Sequence, residues 1–188
     1  MILPIVAYGH QMLKKVAEEI DKNYPSLSQL ISDMWETMYF SHGVGLAAPQ
    51  INKSIRLIVL DASPFAEEDP RALNFKKVMI NAHIISEEGE EWAFNEGCLS
   101  VPEIREDIYR KPIIKIQYYD ENWNFFDETY DGVMARIIQH EYDHLEGILF
   151  VDRVSSLRKM LLKRRLNDIS TGKVDIKYRM IFPNIKKR

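Results

Sequence analysis

In the stretch Gln139-His140-Glu141-Tyr142-Asp143-His144, two histidines stand four residues apart and a glutamate follows the first. Residues at that spacing lie one above the other on a helix, so both imidazoles can reach a single metal ion. An ionised carboxylate at Glu141 is an acceptor only. It can take a proton from water held by that ion without ligating the ion itself. The plain alternative is an amphipathic helix that carries two histidines by chance. Val133, Ile137, His140 and His144 argue against chance, because they recur at intervals of four, three and four and so share an apolar face. A buried histidine that ligates nothing needs other partners.

A mononuclear hydrolytic site needs a third protein ligand and one open position. His10, His42 and His83 lie in less ordered contexts. Cys98 sits in Asn95-Glu96-Gly97-Cys98-Leu99-Ser100-Val101-Pro102, where Gly97 permits an unusual turn beside the thiol. Alone, Cys98 reads as a small buried hydrophobe; beside two histidines it is a credible thiolate ligand. A third segment, Gly43-Val44-Gly45-Leu46-Ala47-Ala48-Pro49-Gln50, is small and apolar, with glycine where a backbone must turn or lie close to something. Alone it reads as a structural turn. Gln50 is its one side chain that donates hydrogen bonds. Two other classes fit part of this pattern. A zinc peptidase uses the same helix but usually adds His or Glu as third ligand, and the context of Cys98 argues against it. A metal-stabilised binding module needs neither Glu141 nor an open position.

Taken together, the three strings resemble peptide deformylase. That family runs Gly-apolar-Gly-Leu-Ala-Ala-x-Gln, Glu-Gly-Cys-Leu-Ser and Gln-His-Glu-x-Asp-His in this order. Here they stand as Gly43 to Gln50, Glu96 to Ser100 and Gln139 to His144. The resemblance implies that Cys98, His140 and His144 hold one divalent metal, Fe²⁺ in the cell, with Zn²⁺, Ni²⁺ or Co²⁺ as substitutes. It makes Glu141 the general base and then acid, and it places the Leu99 backbone N–H and the Gln50 amide at the developing oxyanion. It implies that Gly45 meets substrate through its backbone, that Arg105 lies near the pocket mouth, and that Val44, Val133 and Ile137 line a methionine pocket. Arg136 stands where some members carry an aliphatic residue. The implied substrates are N-formyl-methionyl nascent peptides, with transient ribosome contact.

Several elements must position these groups. Leu27, Leu30, Ile31, Met34 and Met38 fall on one face of a helix that begins near Ser26, where Ser26 and Gln29 have capping-box spacing, and ends near His42-Gly43. Ile55 to Leu60 reads as a buried strand, Ala62 to Asn74 as a surface loop, Lys77 to Ile85 as one or two strands around Asn81, and Glu87 to Glu91 as a solvated turn. Ile114, Ile116 and Tyr118 alternate with Lys115 and Gln117 as in a half-buried strand, followed by a hairpin turn at Asp120 and Asn122. Asp131 is the expected N-cap of the histidine helix, which runs to Glu146 with Gly147 as its C′ residue. A basic helix follows from Ser155-Ser156 to Asp168, and Lys173 to Ile181 could add a short strand.

This pattern implies an α+β fold: a single domain over residues 1–188, with mostly antiparallel or mixed sheets around a central metal-binding helix. The 188 residues suffice for a substantial core, with 46% hydrophobic and 28% charged residues. A net charge of -3 indicates no overall grip on DNA. One cysteine excludes an internal disulfide and favours a reducing compartment. The N-terminus reads as neither signal nor transit peptide, and no apolar stretch nears the length of a membrane span. A cytoplasmic protein is the expectation.

Overall fold

The computed structural model describes residues 1–183; the last five residues of the expected domain lie outside the described residues. The run Leu57-Ile58-Val59-Leu60 shows why the sheet sits at the centre. It forms β3 (Leu57–Asp61), and all four side chains are fully buried. Ile58 and Leu60 pack into one apolar cluster, while Leu57 and Val59 pack into another on the opposite face. A strand covered on both faces needs no polar alternation, hence the unbroken apolar run.

Around it lie β2 (Gly45–Ala47), β4 (Lys76–Glu88), β7 (Ile113–Tyr119) and β8 (Phe125–Asp131), giving one antiparallel sheet of order β2-β3-β4-β7-β8. One face carries α1 (Leu27–Phe40) through Leu30, Ile31, Met34 and Met38. The other carries α2 (Gly132–Leu145) through Val133, Met134, Ile137 and Ile138. A separate antiparallel hairpin, β5 (Trp92–Cys98) and β6 (Val101–Arg110), meets α2 where Trp92, Glu96 and Ile108 bond Arg136 and Glu96 bonds His140. The short strands β1 (Ile5–Val6) and β9 (Met180–Ile181) pair in parallel, and α3 (Ser156–Ser170) packs Leu162, Leu166 and Ile169 with β1 and β6. The architecture is α+β with α2 at its centre. Among the described residues, no helix is long and apolar enough to cross a membrane.

Local chemistry sets the helix ends. α2 closes as expected at Gly147, with φ +71° and the Ile148 N–H donating to the Asp143 carbonyl at 2.8 Å. The end of α1 uses the same geometry with His42, not glycine, in the left-handed position (φ +58°), and the Gly43 N–H reaches the Met38 carbonyl at 2.9 Å. The expected capping box at Ser26 does not form. Ser26 itself is left-handed (φ +56°), so its hydroxyl makes no cap, and Gln29 bonds Asp33 instead. Asp131 occupies the N-cap of α2 but gives its carboxylate to Arg71.

Lys76–Glu88 is one strand, kinked at Asn81 (φ +52°), where Asn81 and Ala82 of β4 stand opposite Tyr118 alone on β7. The Asn81 side chain holds both backbone groups of Ile20. Glu87 and Glu88 end that strand, so the solvated turn starts at Gly89. The surface loop after β3 contains two short 3-10 turns, Ser63–Phe65 and Pro70–Ala72.

Candidate metal centre

Eleven of the fourteen residues of α2 are buried, including Arg136, Gln139, Glu141, Asp143 and His144. Polar groups so placed need partners, and those partners organise the site. His140 and His144 stand one turn apart with ring centroids 5.3 Å apart. Cys98, the last residue of β5, reaches them from the hairpin. Its position follows from an irregularity there: Gly97 faces Arg105, but Cys98 faces Val101, so β6 loops out around Glu103 (φ +63°). The ligand atoms of Cys98, His140 and His144 all lie within 4.8 Å of one another, with Cys98 Sγ 3.3 Å from His144 Nε2.

A second layer orients this trio. Glu96 Oε2 accepts from His140 Nδ1 at 2.8 Å, which leaves Nε2 as that ring's free ligand atom. The Glu96 carboxylate also takes both arms of Arg110, at 2.8 and 2.9 Å, and Arg136 Nη1 at 3.0 Å. Arg110 continues to Asp143, which Arg153 grips from the other side. Burial would raise the Glu96 carboxyl, but hydrogen bonds from His140 and Arg110 hold it well below the carboxylate range.

His144 is pushed well below the usual histidine value, first by burial and then by His140. Burial also lowers His140, yet its bonds to Cys98 and Glu96 outweigh this and raise it well above the usual value. The three ligand atoms converge closely enough to share one cation. A thiolate with two imidazoles is a donor set suited to a tetrahedral or transition-metal ion. The residues fit a metal.

Gln50 and Glu141 complete the centre. Gln50 Oε1 accepts the Ala47 N–H at 2.9 Å, and this turns Nε2 toward Cys98 Sγ (3.5 Å) and Ser100 Oγ (3.3 Å). Glu141 is 4% exposed; burial pushes it up to about 7, and its Oε2 has no hydrogen-bond partner among the described residues. Gly45 makes room for it, since a Cβ there would overlap the carboxylate.

A cavity of about 620 Å³ opens over these groups. Val44, Gly45, Gln50, Leu99, Arg105, Ile137, His140 and Glu141 line it. Arg105 binds Asn95 through its side chain and backbone at 2.7 Å each, at the exposed rim. Val133 does not line the cavity; it lies in the core behind it. Arg136 does line it, but its charge is committed inward to Glu96, the Ile108 and Trp92 carbonyls, and the Trp92 ring at 4.7 Å.

Sequence reasoning missed Phe65, Phe94, Ile104 and Tyr178 as wall residues and Glu96 as the His140 partner. One signal was available for two of them. Trp92, Phe94, Glu96 and Cys98 alternate along β5 and so share a face.

The Glu96→Gln variant should lower metal affinity about 10–100-fold through loss of the His140 anchor. It should also destabilise the fold by about 3–5 kcal/mol, because Arg136 keeps a buried charge without its carboxylate partner, while Arg110 retains Asp143 alone. Metal titration and denaturant unfolding measure the two effects. Unchanged metal affinity would remove Glu96 from the centre.

Known proteins resemble this chain in sequence and fold. The Polypeptide deformylase family matches residues 2–160. A peptide deformylase of Christiangramia forsetii is 55% identical over 194 aligned positions, covering 100% of this chain and 99% of that protein. One from Flavobacterium johnsoniae is 51% identical over the same coverage. The crystal structure of a peptide deformylase from Legionella pneumophila superposes with a TM-score of 0.79 at 37% identity, covering 92% of this chain and 98% of the other. With its histidine helix at the centre of the same fold and over half its residues shared with such a relative, the chain belongs to the peptide deformylase family.

Proposed function

We propose that this chain removes the formyl group from N-formyl-methionyl nascent peptides, working in the cytoplasm as one catalytic domain over residues 1–188. The observation that carries this reading is Glu141. Its buried carboxylate has an oxygen without a partner among the described residues and leans on Gly45, next to three clustered ligand atoms in an apolar cavity. A divalent cation on Cys98, His140 and His144 supplies Lewis acidity and a water acidic enough to ionise near neutral pH. Fe²⁺ is the proposed native ion, with Zn²⁺, Ni²⁺ or Co²⁺ able to replace it.

Glu141 takes a proton from the attacking water and returns it to the departing amine nitrogen. A carboxyl that burial raises above its usual range serves in both directions. Gln50 Nε2 and the Leu99 N–H donate to the negative charge that develops on the formyl oxygen. The Gly45 backbone and Arg105 engage the peptide. Val44 and Ile137 form the apolar wall for an unbranched thioether side chain, with Val133 packed behind Ile137 in the same cluster. Contact with the ribosome is transient, at the point where nascent chains emerge.

The test offers formyl-Met-Ala-Ser and the unblocked Met-Ala-Ser to the metal-loaded protein. Formate release from the first, with no cleavage of the second, is expected. Hydrolysis of internal peptide bonds alone would replace this reading with that of a peptidase.

A further inference from the structure

Residues 173–181 leave α3 and run back along the catalytic cavity, where Asp175, Ile176, Lys177 and Tyr178 form part of its lining. The family match ends at residue 160, so this wall lies beyond the matched residues. The segment is tied down by β9, whose pairing with β1 uses the Ile5 N–H on the Arg179 carbonyl and the Ala7 N–H on the Ile181 carbonyl, at 2.9 Å each.

This strand pair grips the turn that carries Cys98 into the site. The Tyr178 hydroxyl donates to the Leu99 carbonyl at 2.7 Å, and the Tyr8 N–H donates to the Ser100 carbonyl at 2.8 Å. Both carbonyls of the two-residue turn are thus held from one unit, one by a residue flanking β1 and the other by a residue flanking β9. The Leu99 side chain packs against Gly43, where an added Cβ would stand 2.8 Å from its Cδ1. A backbone carbonyl in such a place needs a partner, and the direction of a short turn follows from what binds its polar groups.

We infer that Tyr178 is a positioning residue for the hydrolysis: its hydroxyl pins the Leu99 carbonyl and so aims the Leu99 N–H at the substrate oxygen. The inference rests on the deformylase reading above. Releasing the carbonyl frees rotation on either side of Leu99. A donor displaced by about 1 Å can lose up to about 10²-fold in rate. That donor acts on charge that develops only in the transition state, so the loss falls on kcat and not on KM.

The experiment is Tyr178→Phe in the full-length, metal-loaded enzyme, assayed with formyl-Met-Ala-Ser. The ring and its packing remain. Expected are a kcat about tenfold lower, a KM within about twofold of wild type, and unchanged metal content. Tyr178→Met, which also lacks a hydroxyl, should show the same split and decides the matter if the Phe variant does not fold. A kcat within about twofold of wild type would overturn the inference. So would a raised KM at constant kcat, or a kcat loss matched by metal loss. Wild-type protein that releases no formate would instead overturn the deformylase reading itself.

Discussion

Glu141→Ala should keep its fold and its metal and lose about 10²–10⁴ of turnover, the usual worth of a positioned general base. The fold should survive because, among the described residues, the carboxylate makes no ion pair and its Oε2 has no hydrogen-bond partner, so its removal strands no group there. The metal should survive because Cys98, His140 and His144 are untouched, and the His140 anchor at Glu96 lies elsewhere. What disappears is the buried Glu141 carboxylate that lies against Gly45. Turnover, metal content and thermal unfolding on one preparation check the three statements together. Turnover within about tenfold of wild type would remove Glu141 from the mechanism.

Cys98→Ala should produce the opposite pattern, in which metal is lost and activity falls with it. Loss of a partner behind a ligand typically costs 10–100-fold in affinity, and loss of a ligand itself should exceed about 100-fold. Only two imidazoles would remain, and His144 has no carboxylate behind it as His140 has Glu96; its Nδ1 is without a partner among the described residues. The fold should hold, since Gln50 keeps the Ser100 hydroxyl and the Ala47 N–H when the sulfur is gone. Competition with a chelator of known affinity measures the loss. Wild-type affinity in this variant would exclude Cys98 as a ligand.

The helix that carries the histidines was legible because three signals agreed over one stretch: apolar spacing, ligand spacing and a glycine at the C′ position. The hairpin that delivers Cys98 was not, for a physical reason. β6 alternates buried and exposed residues from Pro102 onward, but its buried face includes Glu106 and Arg110 as well as Ile104 and Ile108. Charge paired inside the protein looks like surface when hydrophobicity alone is read. Glu96 was hidden in the same way, since its role depends on Arg110, Arg136 and His140 converging from β6 and α2.

The failed cap at Ser26 shows a different limit. Residue types suited to a capping box sat at the right spacing, but the chain enters α1 through a left-handed residue that turns the hydroxyl away. Val133 followed the histidine face by periodicity and still lies behind the cavity, one turn before the residue that borders it. The tail was visible as a possible strand. Its place against the cavity was not, because the contact between Tyr178 and Leu99 spans 79 residues.

X-ray absorption on the Co²⁺-loaded protein tests most directly whether one sulfur and two imidazoles surround a single cation that keeps an open face. The expected first shell holds one sulfur, two nitrogens and a solvent oxygen, with the sulfur absent in Cys98→Ala. A shell without sulfur in the wild type, or one closed by four protein atoms, would contradict the account.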